Sequence, residues 1–343
     1  MDATPINWYR SPISRDDLRR FTEKSDLKGW LQAGSFLLIF LCTTAGAVIL
    51  FELRLWIPMV VVCYVHSAFL QMIGMSAAVH ELSHGTVFRR KGPNEFFYHL
   101  FCFLTWNSPV HFRNSHMLHH QLTVYRGRDK EVIQGPVKDK MNLGNYLSWI
   151  TFDYQWFWTL VSINIRHALG DGDADFFSWD PLFQRDDPRR RQMIRWARFA
   201  VLSYLVLTVG FALLHLWVLI YLIVFGNFFA SILGRLTGAI QHTGLAESTP
   251  DWRAVCHTVI VNPIVGYLYW HMNYHTEHHM YAAVPCFNLP GFSKALAADM
   301  PVPTRSFSAG LRRVLEIKRA QKTDPTYLFE PVMPPTAAPI RRR

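Results

Sequence analysis

The sequence predicts an all-α integral membrane protein, in which four transmembrane helices form two hairpins and a cytosolic helical cap carries clusters of histidines. Three observations predict this fold class: long apolar runs without charges, basic residues concentrated on one side of those runs, and histidines placed just beyond their ends. Half of the 343 residues are hydrophobic and 15% are aromatic. Such a composition is typical of proteins that expose much of their surface to a lipid bilayer.

The first hairpin is predicted from two uncharged runs near the N-terminus. One covers residues 30–51 and the other residues 55–78, and the only basic residue between them is Arg54. A helix rises about 1.5 Å per residue, so about 20 residues cross a hydrocarbon core about 30 Å thick. Both runs are therefore long enough to span the membrane.

The second hairpin is predicted from a single longer run, because residues 199–234 contain no charged side chain. As one helix this run would measure about 54 Å, which is too long for one crossing. We therefore expect the chain to turn back near residues 210–216, which gives spans at about 199–214 and 217–236.

The basic residues orient these spans. They precede the first span, crowd between Arg185 and Arg198 before the third, and end the chain, whereas the two predicted outer loops contain only Arg54. The positive-inside rule places both termini and the long middle segment in the cytosol, and a bacterial cytoplasmic membrane is the expected location. We attribute the net charge of +10 to this topology and to contact with anionic lipid or an acidic partner. No nucleic-acid binding is expected, because the basic residues flank the spans and form no recognition motif.

The spans divide the chain into three parts. Residues 1–28 are expected to be a cytosolic N-terminal segment, residues 29–300 a membrane domain, and residues 301–343 a cytosolic C-terminal segment. From about residue 331 the tail is rich in proline, which predicts disorder. Three shorter apolar segments are expected to lie at the membrane interface without crossing it: residues 96–110, 146–165 and 254–270.

The sixteen histidines are concentrated in short motifs. "HELSH" covers residues 80–84, "HMLHH" covers 116–120 and "HTEHH" covers 275–279, while "QHTG" adds His242 after the fourth predicted span. In a helix, positions i, i+3 and i+4 lie on one face, so each motif projects its histidines toward one point. All four motifs fall on the predicted cytosolic side, which charge and length alone had assigned. The predicted metal-ligand set is His80, His84, His116, His119, His120, His242, His275, His278 and His279.

Nine imidazoles exceed what one tetrahedral zinc ion needs, which is about four ligands. They suit two metal ions with four or five nitrogens each, and imidazole alone leaves the choice among Zn, Cu, Fe and Ni open. Imidazole ligands usually need a neighbouring group that fixes their tautomer. Candidates for that role are Glu81, Asp129, Glu131, Glu277, His111 and His271.

"HELSH" also fits H-E-x-x-H, in which two histidines bind zinc and the glutamate, here Glu81, activates water in a metalloprotease. An intramembrane protease would need a third ligand, often an aspartate in an "NPDG"-like element, and "VNPIVG" at residues 261–266 lacks it. The zinc protease alternative also leaves the other clustered histidines unexplained. A third possibility is a non-catalytic metal-binding membrane protein, which would keep the clusters but consume no O2.

The order and spacing of "HELSH", "HMLHH" and "HTEHH" resemble those of the membrane fatty acid desaturase superfamily over roughly residues 30–300. The resemblance implies a di-iron centre ligated by the nine histidines, with O2 as co-substrate and hydrogen abstraction from an unactivated C–H bond. It implies a desaturase that acts on a fatty acyl chain or a similar aliphatic substrate, or alternatively a hydroxylase or ketolase of the same superfamily. One departure is Gly238, which stands where acyl-CoA desaturases of this type place an asparagine four residues before the histidine that matches His242.

The same resemblance implies an external source of two electrons for each turnover. The sequence contains no C-x-x-C pair and no "HPGG" motif of a fused cytochrome b5 domain. A separate donor is therefore expected, such as a ferredoxin or a cytochrome b5 with its reductase. Basic patches at Arg189–Arg198 and Arg312–Arg319 would suit an acidic carrier. The expected substrate is an acyl lipid or another aliphatic molecule taken from the bilayer.

Overall fold

The computed structural model describes residues 5–132, 143–179 and 181–342, and these residues form helices joined by short connections. The α-helices are α1 Arg15–Phe21, α2 Asp26–Gly29, α3 Ser35–Glu52, α4 Trp56–Ile73, α5 Ala78–Ser83, α6 Lys91–Leu104, α7 Pro109–Leu122, α8 Leu143–Ile150, α9 Tyr154–Ala168, α10 Pro188–Leu213, α11 Trp217–Leu219, α12 Ile232–His242, α13 Trp252–Val255, α14 Pro263–Leu268, α15 His275–Met280, α16 Leu289–Leu296 and α17 Phe307–Thr323. Two short strands, β1 Val259–Ile260 and β2 Thr304–Arg305, pair in parallel. The prediction of a mainly helical protein is confirmed.

Three helices in the described part of the chain are long and apolar enough to cross a membrane. The first is Asp26–Glu52, in which a π-helical segment joins α2 to α3. The second is Trp56–Ser83, which contains α4 and α5, and the third is Pro188–Leu213, which is α10. These helices cover the first three predicted spans, so the prediction of long apolar membrane helices is confirmed for them.

The surface of α3 suits lipid contact. Leu38, Leu41 and Ile49 remain 60%, 52% and 57% exposed, whereas Phe36 on the opposite face is buried. A helix whose exposed face is as apolar as its buried face is typical of a membrane span. The helix packs against α4, and the chain between them passes through Arg54, whose φ is +56°.

The fourth predicted span, residues 217–236, is broken in the structure. An apolar helical segment runs from Trp217 to Phe228 and is shorter than the three long helices, and the chain then leaves helical geometry at Ala230, where φ is +52°. The backbone groups that lose their helical partners at this break are paired with residues 151–153, because Asp153 N donates to Phe228 O at 2.7 Å and Ala230 N donates to Thr151 O at 3.0 Å. Buried backbone polar groups at membrane depth require such partners. The count of four spans in two hairpins therefore stays a prediction.

Asp153 also corrects the prediction of one interfacial helix over residues 146–165. The structure divides this segment into α8 and α9, and the Asp153 carboxylate caps α9 by accepting from Trp156 N at 3.0 Å. The same buried carboxylate accepts from Ser231 Oγ at 2.5 Å and from Arg235 Nη2 at 2.6 Å. It therefore ties the start of α9 to the start of α12, beside the break.

The histidine-bearing helices gather at one end of the spans. After a turn at residues 74–77, α5 continues from α4, and α7 packs against α5. α15 is wholly buried and packs against α13 and α16. Apolar side chains that include Phe97, Phe101, Trp270 and Met280 form the core around these helices.

The proline-rich tail, for which composition predicts disorder from about residue 331, lies along the cap without helix or strand as far as Arg342. Its carbonyl groups accept hydrogen bonds from Arg253, which donates to Ala338 O and Pro339 O at 3.1 Å each. Asp299 completes the contact by accepting from Ala338 N at 2.7 Å. A fully buried guanidinium needs acceptors for its five N–H groups, and the tail supplies two of them.

Candidate metal centre

Four helices deliver nine histidines to one place. The first motif lies on α5 and its C-cap, the second on α7, and the third on α15, while His242 ends α12. α7 is held in register by its first turn, where the Ser108 hydroxyl caps the helix and Pro109 takes the first position. The structure brings together every histidine of the predicted set, and seven of the nine are buried, with His84 and His120 partly exposed.

The nine rings separate into two groups. The first group has five nitrogens within 4.8 Å of one another, contributed by His80, His84, His116, His120 and His278. Within it, His80 Nε2 lies 2.9 Å from His278 Nε2 and 3.0 Å from His116 Nε2, and His120 Nε2 lies 3.1 Å from His116 Nε2. The motif "HMLHH" thus divides, since His119 belongs to the other group.

The second group contains four histidines. His119, His242 and His279 offer nitrogens within 4.8 Å of one another. His275 joins them, because its Nε2 lies 2.9 Å from His242 Nε2 and 3.0 Å from His279 Nε2. The histidines therefore form groups of five and four, and the binding of one ion by each group stays a prediction.

The nitrogen spacing fits metal ligation. His116 and His242 both direct Nδ1 to a fixed acceptor, so each presents an unprotonated Nε2 to the centre. Two such lone pairs repel at 3.0 Å unless a cation lies between them. With a metal–nitrogen bond of about 2.1 Å, ligands at right angles are about 3.0 Å apart and tetrahedral ligands about 3.4 Å apart. The observed separations of 2.9 to 3.1 Å are therefore short enough for these nitrogens to bind one shared ion.

Carboxylates orient two of the rings from behind through hydrogen bonds, and a third carboxylate lies close to another ring. Asp129 Oδ2 accepts from His119 Nδ1 at 2.8 Å, and Glu131 Oε2 accepts from His116 Nδ1 at 3.0 Å. Glu81 Oε1 lies 3.0 Å from Nδ1 of His278. Three of the four carboxylates that the sequence suggested therefore lie beside a histidine of the set. Their negative charge would offset part of the charge of two bound cations.

The other suggested partners lie elsewhere. Glu277 accepts from Thr258 Oγ1 at 2.6 Å and from Ser293 Oγ at 2.5 Å, so this carboxylate fastens α15 to its surroundings. His111 pairs with Asp175 at 3.0 Å. His271 makes no contact with a histidine of the set among the described residues. Proximity in sequence to a histidine motif is therefore not sufficient to identify a residue that bonds to its imidazoles.

Two further partners escaped the sequence analysis. The carbonyl oxygen of Val255 accepts from His242 Nδ1 at 2.9 Å. The Thr123 hydroxyl donates to His119 O at 2.8 Å, which leaves its oxygen to accept from His279 Nδ1 at 3.1 Å. A backbone carbonyl has no sequence signature at all. Thr123 offered only a weak signal, because it follows His119 by one helical turn.

Burial keeps most of these imidazoles neutral. Loss of hydration lowers the pKa of His84, His242 and His278 to about 3. Burial acts in the same direction on His119, but the Asp129 carboxylate outweighs it and the pKa of His119 is raised. At neutral pH the first three rings therefore hold a lone pair available to a metal ion.

The geometry disfavours the zinc protease alternative. Nε2 of His278 faces His80, whereas Nδ1 of the same ring faces Glu81. Glu81 is fully buried and lies on the far side of that ring from the point where the nitrogens converge. A general base must reach the water that it activates, and Glu81 is not placed to do so.

Comparison with known families gives one match. A family model described as "Fatty acid desaturase" matches residues 54–308. The matched region contains all three histidine motifs and His242. A search among curated proteins found no match.

Proposed function

Because the chain belongs to the fatty acid desaturase family, we propose that it is a membrane di-iron oxygenase that introduces a double bond into a fatty acyl chain or a similar aliphatic substrate. In the net reaction the substrate loses two hydrogens, and O2, two external electrons and two protons are consumed to give two waters. The observation that carries the proposal is the division of nine converging imidazoles into groups of five and four.

The proposed ligands of one iron are His80, His84, His116, His120 and His278, and those of the other are His119, His242, His275 and His279. Two bound iron ions would supply the O2 activation and C–H abstraction that no side chain can perform. Asp129 and Glu131 hold the rings of His119 and His116 in the tautomer that presents Nε2.

The surroundings of the centre support oxidation of a buried substrate. Seven of the nine ligands are buried, and the core around α15 is apolar. Exclusion of water strengthens electrostatic interactions within a site and prevents side reactions. The spans would admit an aliphatic substrate directly from the bilayer.

An external electron donor is part of this proposal. All five cysteines are free and four of them are buried, so they supply no iron site for electron transfer. We propose an acidic carrier, either a ferredoxin or a cytochrome b5 with its reductase, that docks on the cytosolic basic residues. Among these, Arg189 and Arg190 are already ion-paired with Asp187 and Asp173.

The test is turnover by the iron-loaded protein in membranes supplied with a saturated acyl lipid, O2 and each donor system in turn. We expect donor-dependent O2 consumption and a product lighter by two hydrogens, both abolished in His119→Ala. A product heavier by one oxygen would instead identify a hydroxylase, and a product that has gained one oxygen and lost two hydrogens would identify a ketolase. Iron-loaded protein that consumes no O2 with any donor would contradict the proposal and leave a metal-binding membrane protein.

A further inference from the structure

A cavity lies between α4 and α12. Its volume is about 180 Å³ and its wall is mainly apolar, but it also includes Gly234 and the polar residues Gln71, Ser76, Asn107, Asn227, Ser231 and Arg235. Gln71 belongs to α4, one of the long apolar helices, where polar side chains are costly and mark either a functional site or a helix contact.

Three amide side chains in this wall have a fixed orientation. Gln71 Nε2 donates to Asn227 O at 3.0 Å, Asn227 Nδ2 donates to Thr105 O at 3.1 Å, and Asn107 Nδ2 donates to Thr105 Oγ1 at 2.9 Å. Because each acceptor is an oxygen, the amide nitrogen must face it and the amide oxygen must point elsewhere. Two of these bonds have backbone carbonyl oxygens as acceptors, and one of these carbonyls, that of Asn227, lies beside the break in the fourth predicted span.

The amide oxygens themselves have no hydrogen-bond partner within the described ranges, although Gln71, Asn107 and Asn227 are only 9%, 6% and 4% exposed. Some buried polar atoms in the described residues have neither a hydrogen-bond partner nor accessible surface, and these three oxygens are not among them. The oxygens therefore remain accessible, and for Gln71 Oε1 the direction is clear, since it would lie 3.1 Å from a Cβ added at Gly234. An accessible acceptor without a partner in the cavity wall leaves a hydrogen bond for a ligand to complete.

The cavity is placed to hold a substrate. Ser76 lies one helical turn before His80, and Gly234 lies about two turns before His242 on α12. A second small cavity shares Met75 and Asn107 with the first, and its wall includes Phe112, whose ring stacks on His116 at 5.2 Å between centroids. The first cavity is therefore bounded by segments that lead to two of the proposed ligands, His80 and His242, and the second cavity by the helix that carries a third, His116.

We propose that this cavity selects aliphatic substrates that carry a hydrogen-bond donor, a hydroxyl or an amide N–H, which binds Oε1 of Gln71. The inference rests on the proposed oxygenase function and narrows its substrate class. A plain acyl ester has only acceptors, so it would leave Gln71 Oε1 unpaired, whereas a fatty amide or alcohol pairs with it. The donors in the same wall, Ser231 and Arg235, are already bonded to Asp153. A site with buried polar groups can strongly reject an analogue that lacks the matching group, because the polar groups of the site are then left unpaired.

The test is equilibrium binding of three radiolabelled probes to the iron-loaded protein in lipid nanodiscs without reductant: hexadecanamide, hexadecanol and methyl hexadecanoate. Iron content is measured on the same sample, so failure of the metal centre is seen separately from failure of the selectivity. We expect the amide and the alcohol to bind about fivefold to tenfold more tightly than the ester, as one completed hydrogen bond implies.

Two variants test whether this cavity is responsible for the preference for substrates that carry a donor. Gln71→Met removes one amide oxygen at similar volume, and Gly234→Ala adds a methyl group beside that oxygen, so both should reduce the preference for the amide and the alcohol. Gly210→Ala is the matched control, because it adds the same methyl group to α10 where no atom lies within 4 Å, and it should leave the preference unchanged. The two cavity variants are independent, so Gly234→Ala retains the test if Gln71→Met does not fold.

Equal binding of the three probes by iron-loaded wild-type protein would overturn the inference and leave the proposed function standing. A preference that survives intact in folded Gly234→Ala would also overturn it, because the donor would then be recognised elsewhere. If only the amide or only the alcohol is preferred, the inference holds and the result identifies which donor the cavity takes.

Discussion

At the scale of single residues, the group that accepts a hydrogen bond from Nδ1 determines which nitrogen of each histidine faces the centre. Asp129, Glu131 and the Val255 carbonyl each accept from an Nδ1 atom, so the Nε2 atom of the same ring faces the other histidines of the centre. The sequence predicted the nine histidines, because their spacing encodes a shared helix face. It could suggest Asp129 and Glu131 only by proximity, and it could not suggest a backbone carbonyl, whose position depends on the packing of α13.

Removing a tautomer-fixing carboxylate should weaken metal binding. For Asp129→Asn and Glu131→Gln we expect iron affinity to fall about tenfold to 100-fold, since the ring loses both its orientation and its negative partner. Iron retained per chain during titration with a chelator measures the effect. Glu277→Gln is the matched control, because this carboxylate bonds Thr258 and Ser293; equal losses in all three variants would indicate a general structural effect.

The buried imidazoles also predict how pH affects the metal-free protein. Burial lowers the pKa of His84, His242 and His278 to about 3, whereas in the unfolded chain it is about 6.5. Between these values the unfolded chain binds more protons, so stability is complete above about pH 6.5 and falls as the pH drops toward 3. Thermal unfolding of metal-free protein in detergent should show this decrease between about pH 7 and pH 5. A midpoint that stays constant over that interval would show that these rings are not buried as described.

At the scale of helices, run length and charge predicted the three long apolar helices but not the break at residues 229–231. An uncharged run of apolar residues carries no local signal for this break, because the partners of its backbone groups lie far away in sequence at Thr151 and Asp153. The division of the segment 146–165 at Asp153 has the same origin. Both features depend on tertiary contact between α9 and α12.

Asp153 should therefore be needed for this junction. Asp153→Ala removes the cap of α9 and the acceptor of Ser231 and Arg235, and we expect it to destabilise the protein by about 1–3 kcal/mol. The thermal midpoint in detergent measures the loss. Asp171→Asn, which breaks the exposed ion pair with Arg166, should have little effect; a similar loss in both variants would argue against a special role for Asp153.

At the scale of the whole molecule, the predicted topology and the histidine motifs agree, because positive-inside orientation places every motif on one side and the structure gathers them into one centre. The sequence could not show how the motifs divide between two groups. "HMLHH" contributes His116 and His120 to one group and His119 to the other, an outcome of how α7 lies between α5 and α15.

Cysteine labelling tests this topology. In a background that replaces exposed Cys42 with serine, Arg54→Cys and Leu214→Cys should react with an impermeant thiol reagent added to intact cells. Arg15→Cys and Lys318→Cys should react only after permeabilisation, because both terminal segments are expected in the cytosol. Labelling of Arg15→Cys in intact cells would reverse the orientation, and protection of Leu214→Cys would argue against the second predicted hairpin.

The central claim is that nine histidines hold two iron ions, and the most direct test is elemental analysis with Mössbauer spectroscopy of purified wild-type protein, His119→Ala and His99→Ala. The control residue His99 lies outside the set and is bonded to Glu95. We predict two antiferromagnetically coupled irons per chain in the wild type and in His99→Ala, and loss of this centre in His119→Ala. One zinc ion per chain that is retained in His119→Ala would contradict the account and would support the alternative in which "HELSH" is the zinc-binding motif of a protease.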